Sequence, residues 1–344
     1  MSTVNGPVPV SDLGMTLMHE HLHVDWTRSR GMPAGEEAGG LRGARVDASM
    51  AWLLADDPHG IADNGRLDDP VAMAQELNQF VEAGGRTVVE CTPASVGRDP
   101  EALREISRMA GLNVVMGSGW YVHRSHDEWT AAASVNDLCE QLLAEFGDGV
   151  GGTGIRPGVI GEIGVSPQFT DAEKRCLRAA ARVQLRVGVP LMIHLPGWQR
   201  RAHEVLEVVL DQEGVEPAAV VLCHMDPSGE DRAYQRAVAD RGVWLEFDMI
   251  GMPFFFAGEG QSPAPEQTSA AIAALVADGY GDQLLLSHDM ALKSMWTRNG
   301  GNGLGYVPRL FLPRLRRHGV PGEVTDRLLT ANVRRLFAAA QPRS

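Results

Sequence analysis

Apolar positions in this chain follow two rhythms that take turns. From Pro70 onward, Val71, Met73, Leu77, Phe80 and Val81 recur at helical spacing, and Gly84-Gly85 stops the run. The next stretch, Thr87-Val88-Val89-Glu90-Cys91-Thr92, is short and continuously apolar at its centre, which predicts a buried strand. The alternation then repeats. A helix over 100–109, with Leu103, Ile106 and Met109 on one face, leads into a strand over 112–117. Helices over 135–146 and 171–187, the latter with Asp171 as N-cap, lead into strands over 158–163 and 190–194. Helices over 202–210, 232–241 and 269–278 precede strands over 219–224, 243–248 and 283–289, and a helical tail closes the chain.

Near the start, Gly14-Met15-Thr16-Leu17-Met18-His19-Glu20-His21-Leu22-His23-Val24-Asp25 adds an eighth strand. Period-two geometry puts His19 and His21 on one face of it. Strands that read as near-continuous apolar runs between helices imply a parallel sheet covered by helices. Eight such units predict an α/β fold of the (β/α)8 or TIM-barrel class, in one domain over residues 1–344. Residues 25–70, rich in Gly, Ala, Asp and Arg without sustained periodicity, read as a long loop insertion. A doubly wound dinucleotide-binding sheet is the weaker reading. The glycines at 149–154 and 300–305 do not follow the strand-to-helix G-x-G-x-x-G arrangement.

Composition narrows the function. With 344 residues, 44% of them hydrophobic, the chain can bury a large core, and a net charge of −13 disfavours nucleic acid and anionic lipid surfaces as partners. Cys91, Cys139, Cys176 and Cys223 are widely spaced, suggesting neither a disulfide framework nor a zinc knuckle. No secretory leader pattern and no membrane-spanning run are visible, so the expected setting is cytoplasmic, with a small-molecule substrate and no membrane partner.

In a barrel, the functional face lies at the C-terminal ends of the strands. Glu162, His194, His224 and Asp289 each end an apolar strand, and with His19 and His21 they make four histidines and two carboxylates. Gathered at one mouth without a cation, such groups would be desolvated and in part mutually repelling; bound cations satisfy them all. The set exceeds what one catalytic zinc takes from a protein, so two divalent ions fit better, Zn or else Mn, Co or Ni. The expected arrangement puts His19, His21 and Asp289 on the more buried ion, His194 and His224 on the more exposed one, and Glu162 between them. A hydroxide bridging the metals would attack a carbonyl or phosphoryl centre, with Asp289 as the catalytic proton acceptor. Asp248 is placed behind a metal-bound histidine, as its carboxylate partner.

These residues resemble a known family. Gly14-Met15-Thr16-Leu17-Met18-His19-Glu20-His21, Gly161-Glu162-Ile163-Gly164, Ile193-His194, Cys223-His224-Met225-Asp226 and Ser287-His288-Asp289 stand in the order and spacing of the phosphotriesterase family of the amidohydrolase superfamily. The resemblance extends to Asn299-Gly300-Gly301-Asn302-Gly303 and Thr330-Ala331-Asn332-Val333, and so covers nearly the whole chain. It implies a distorted barrel, a binuclear zinc-type centre, the same six ligands and often a homodimer. Where the best-known members carry a carboxylated lysine, Glu162 stands here, which is similar to the phosphotriesterase-related branch. Met249 follows Asp248 where lactonases of the family tend to have Arg. The branch implies hydrolysis of a carboxylic amide or ester, N-acyl amides in particular. Phosphotriester or lactone hydrolysis on the same centre is the alternative, and a catalytically silent ligand-binding barrel is the reading of another class.

Specificity is expected on the loops after the strands: Trp120, Tyr121, His123, Trp198, Met249, Phe254-Phe255-Phe256 and Trp296. These either wall a pocket or cover the barrel rim and a dimer interface. One of Lys293 and Arg298, on the last loop, is expected to hold an acidic substrate group, solvated charge being the alternative. His23, His59, His126, His203 and His318 are given no catalytic role.

Overall fold

The computed structural model describes residues 1–28, 41 and 43–340. Its centre is eight parallel strands: β1 (Met15–Glu20), β2 (Gly85–Glu90), β3 (Asn113–Ser118), β4 (Val159–Gly164), β5 (Leu191–His194), β6 (Val220–Cys223), β7 (Trp244–Phe247) and β8 (Leu284–Leu286). Each lies beside its neighbours in sequence. The two ends of that order also meet, since the Asp289 amide donates to the His19 carbonyl at 3.1 Å and the His19 amide to Ser287 Oγ at 2.9 Å. The sheet is thus closed around an axis, with helices outside, in the expected TIM-barrel class.

Both faces of the strands are buried, for different reasons. Val89, Val115, Val159, Met192, Val221 and Leu285 meet inside the barrel, where Val333, Leu336 and Phe337 of the helix Ala331–Ala339 join them. The alternate residues Val88, Val114, Ile160, Leu191, Leu222 and Leu284 pack outward with the apolar stripes of the helices. This two-sided burial is why the strands read as unbroken apolar runs. Each large side chain so buried contributes about 1.5–3 kcal/mol.

The helix starts follow simple local chemistry. In Pro70–Glu82 and Pro100–Ala110 a proline opens the first turn, and the aspartate before it accepts a backbone N–H: Asp69 from Ala72 at 3.0 Å, Asp99 from Glu101 at 3.0 Å. For Asp171–Val187 the expected cap is one residue off. Thr170, not Asp171, is the N-cap, its Oγ1 accepting from the Glu173 amide at 3.3 Å while the Glu173 carboxylate accepts from the Thr170 amide at 2.8 Å. The apolar stripes also differ in detail from the expected ones. Val71 and Met109 are 53% and 44% exposed, because Met73, Leu77 and Phe80, and Leu103 and Ile106, already fill the faces towards the barrel.

The 25–70 insertion has more structure than a loop. Val24–Asp25 pairs antiparallel with Arg66–Leu67, a helix spans Ala51–Asp56, and Leu54 and Ile61 are buried with Val46, Met50 and Leu53 around them. Residues 29–40 and 42 of that expected loop lie outside the described residues. Among the described residues, no helix is long and apolar enough to cross a membrane.

Two irregularities prepare the functional end of the barrel. Strand register shifts between Leu17 and Glu20 on β1, and between Ile160 and Ile163 on β4. They bracket His19 and Glu162, and such local offsets re-aim side chains near a site.

Replacing Thr170 with Ala is expected to cost about 1 kcal/mol, and replacing the 92%-exposed Asp171 less than about 0.5 kcal/mol. Paired denaturant titrations measure both; equal losses would contradict the capping assignment.

Candidate metal centre

The six residues expected as ligands come together at the C-terminal mouth of the barrel. Glu162, at the end of β4, is their hub. Its Oε2 lies 2.8 Å from His194 Nδ1, 3.7 Å from His19 Nε2 and 3.7 Å from His224 Nε2, and its Oε1 lies 3.4 Å from His21 Nε2. Asp289 closes the group, with Oδ1 3.1 Å from His21 Nε2 and 3.9 Å from His19 Nε2. Gly161 makes this approach possible. Its φ is +138°, and a Cβ there would fall 2.6 Å from the Met192 carbonyl on the neighbouring strand. His224 and Asp289 themselves sit at φ 60° and 51°, left-handed turns that swing both side chains across the mouth.

The hydrogen bonds behind the histidines decide which nitrogens face the centre. Thr92 Oγ1 donates to the Glu90 carboxylate, so its contact with His21 Nδ1 at 2.8 Å makes that nitrogen the donor and leaves the Nε2 lone pair facing Glu162 and Asp289. Asp248 accepts from His224 Nδ1 at 2.8 Å, so that in the neutral ring Nε2 carries the lone pair and faces His194 Nδ1, 2.7 Å away. Asp248 Oδ2 also lies 3.2 Å from His19 Nδ1. Both His19 nitrogens are buried without a hydrogen-bond partner among the described residues. Lone pairs pointed at carboxylates and at one another are unfavourable in a buried site unless a cation lies between them. Glu162 is shared by two groups of potential ligands, with His19 and His21 on one side and His194 and His224 on the other. The donor set therefore fits two divalent ions joined by one carboxylate.

Burial lowers the His21 and His224 imidazoles, but the Asp289 carboxylate beside the first and the Asp248 carboxylate beside the second outweigh it and raise both, so protons compete with a cation for these nitrogens. Burial pushes the Glu162 carboxyl up, but the imidazoles of His194, His19 and His224 outweigh it and hold the group well below the usual carboxylate range. Asp248 is likewise held low, the His224 and His19 imidazoles overcoming its burial. Asp226 goes the other way, to about 7, through burial and the nearby Asp248 charge; it accepts from the Asp248 and Met249 amides at 3.0 and 3.2 Å and so holds that turn.

Some supporting residues were not expected. Glu20, between the two histidines, points the opposite way and accepts from Ser287 Oγ at 2.8 Å, the His288 amide at 3.0 Å and the Met290 amide at 2.9 Å. It thereby pins the turn carrying Asp289. The one signal was a further ionisable residue at the buried end of β1, between the two histidines. Glu246 is buried beneath His19, with Oε2 3.6 Å from His19 Nδ1.

A cavity of about 520 Å³ opens above the centre, with His194, His224 and Asp289 in its floor. Of the residues expected to line it, Tyr121, His123 and Met249 do, as do Trp198 and Phe256. Four do not. Trp120 faces a separate cavity, its Nε1 donating to Gln141 at 3.2 Å. Lys293 is held by Asp63 at 2.7 Å and Asp68 at 3.7 Å, so the insertion has taken up its charge. Trp296 is wholly buried, and Arg298 stacks on it, 4.4 Å from guanidinium carbon to ring centroid. The Phe triplet is no exposed patch, since Phe254 is buried and Phe255 alone reaches 41% exposure. Trp26, His59, Arg124 and Met252 line the cavity unanticipated, two of them from the insertion or its border, where sequence carried no periodicity to read.

A TIM barrel with a carboxylate-linked histidine cluster at its mouth defines a metal-dependent hydrolase. Comparison with known proteins places it further: the model of the phosphotriesterase family matches residues 1–337, and the chain belongs to that family, which uses a binuclear metal centre. An N-acetyltaurine hydrolase of Tetraodon nigroviridis is 34% identical over 337 residues, 96% of each chain. Among solved structures, a resiniferatoxin-binding protein from Rhodobacter sphaeroides superposes with a TM-score of 0.94 at 46% identity, covering 100% of this chain and 96% of its own. A lactonase from Listeria monocytogenes reaches a TM-score of 0.78 at 25% identity, covering 98% of each.

Replacing Thr92 with Val removes the contact that orients His21, and is expected to weaken divalent-metal affinity about 10- to 100-fold. Competition with a chelator measures this, and unchanged affinity would show that Thr92 does not set the tautomer.

Proposed function

We propose that this protein hydrolyses the amide bond of a small N-acyl amide. The observation that carries the reading is Glu162, a carboxylate buried between two pairs of imidazoles beneath an open cavity. His19, His21 and Asp289 would hold one divalent ion, His194 and His224 the other, and Glu162 both. Bound there, the ions would supply Lewis acidity towards a carbonyl oxygen and make water acidic enough to attack near neutral pH. The chain's own groups do the rest. Asp289, 17% exposed at its side chain and facing the cavity floor, takes the proton of the attacking water and passes it to the departing amine nitrogen. Tyr121, its ring 4.8 Å from that of His194, borders the space in which the carbonyl sits. Asp248, Thr92 and Glu20 keep the histidines and the Asp289 turn in place.

The name N-acetyltaurine hydrolase shared by the curated relatives supports an N-acyl amide over a phosphotriester. Met249, an uncharged residue in the cavity wall, supports it over a lactone, although a lactonase is among the structural neighbours. A silent ligand-binding barrel draws support from the name of the resiniferatoxin-binding neighbour; a complete set of six candidate ligands, Asp289 among them, favours catalysis. Our reading also takes zinc as the native metal, a homodimer as the assembly, the cytoplasm as the location and residues 1–344 as one domain.

The purified protein is expected to carry about two equivalents of divalent metal. It should cleave N-acetyl amides in preference to lactones and aryl phosphotriesters. Asp289→Asn is expected to lower kcat about 10²- to 10⁴-fold. Hydrolysis that survives this change would remove Asp289 from the mechanism, and a metal-free protein that binds but cleaves none of the panel would establish the silent barrel.

A further inference from the structure

The cavity is apolar along its walls and sparsely charged at its mouth. Trp26, Tyr121, Trp198, Met249, Met252 and Phe256 form the walls. Arg124 is the only lysine or arginine among the lining residues. It sits in the turn His123–Ser125 just beyond β3, exposed, with no ion pair or hydrogen bond to another described residue. That sets it apart from Arg98, Arg178, Arg232 and Lys293, each of which is held by a carboxylate. The same stretch of chain carries Tyr121, whose ring rests on His194. The guanidinium is therefore three residues along the backbone from a side chain in contact with the metal centre. His59, on the 25–70 insertion, is lowered to about 4, mostly by burial and further by Arg124, and so stands neutral at pH 7 beside it. Glu259, at the tip of the hairpin made by Phe255–Phe256 and Gly260–Gln261, also lines the cavity but forms no ion pair with Arg124.

A guanidinium with no partner among the described residues, at the mouth of a cavity with aromatic walls, is suited to receive an oxyanion. Its planar fork donates two parallel hydrogen bonds to an oxyanion. We propose that Arg124 selects substrates whose amine half ends in an oxyanion, a sulfonate or a carboxylate, holding that end while the amide lies over Glu162 and Asp289. This rests on the amide-hydrolase reading and assigns to Arg124 the role that sequence had suggested for Lys293 or Arg298.

Three N-acetyl amides of equal length test it on the metal-loaded enzyme: N-acetyl-2-aminoethanesulfonate, N-acetyl-β-alanine and the neutral N-propylacetamide. In Arg124→Gln, the kcat/KM ratio of each anionic amide to the neutral one is expected to fall about 10- to 100-fold, through KM rather than kcat. Arg124→Lys, which keeps the charge but not the fork, should recover part of that loss. The larger fall between the two acids identifies the preferred oxyanion. An equal loss on all three substrates would mark Arg124 as structural and overturn the proposal while leaving the hydrolase reading intact. Calorimetric titration with propane-1-sulfonate separates the two claims. Binding that is lost in Arg124→Gln, in a protein that cleaves none of the three amides, would keep the oxyanion site and remove the amide reading; binding that is unchanged in the variant would remove the oxyanion site.

Discussion

Glu162 is a carboxylate with four imidazoles around it and only 1% exposure to solvent, and the rest of the barrel mouth is arranged to make that tolerable. A buried anion of this kind costs several kcal/mol unless it is paired. The His194 contact at 2.8 Å and the nearby His19, His21 and His224 nitrogens provide the pairing, and metal ions would complete it. The requirement passes outward from residue to residue. Thr92 and Glu90 orient His21, Asp248 orients His224, and Glu20 ties down the turn that presents Asp289. Each is a buried polar group satisfied by a specific partner, so a change at any of them would leave an unpaired group behind.

Placing that carboxylate also constrains the backbone. The register of β1 and β4 slips beside His19 and Glu162, and Gly161 adopts a conformation and a proximity to Met192 that a side chain would forbid. The left-handed turns at His224 and Asp289 belong to the same set of distortions. The regular, doubly buried lower part of the barrel carries these irregularities, which is where local strain is expected in a functional site.

Above the centre the chemistry changes from polar to apolar, and specificity is drawn from loops far apart in sequence. The insertion supplies His59, the loop after β3 supplies Tyr121 and Arg124, and the hairpin after β7 supplies Phe256 and Glu259. The six-residue cluster forms the floor, and these loops, drawn from distant parts of the chain, line the space above it.

The sequence alone determined the strand count, the barrel and the identity of the six residues at its mouth. Doubly buried parallel strands must be apolar throughout, so a histidine or carboxylate at the end of one is conspicuous. It also pointed to Asp248 behind the histidines. Tertiary structure alone decided which charges are free. Lys293 and Arg124 look alike in sequence, but Asp63 and Asp68, some 230 residues earlier in the chain, neutralise the first and nothing described neutralises the second. Glu20 and Glu246 were passed over because the value of a buried carboxylate depends on partners brought from other strands. The Thr170 cap and the exposed Val71 and Met109 were misjudged for a related reason: periodicity marks which residues are apolar, but the space left by neighbouring elements settles which of them face the core.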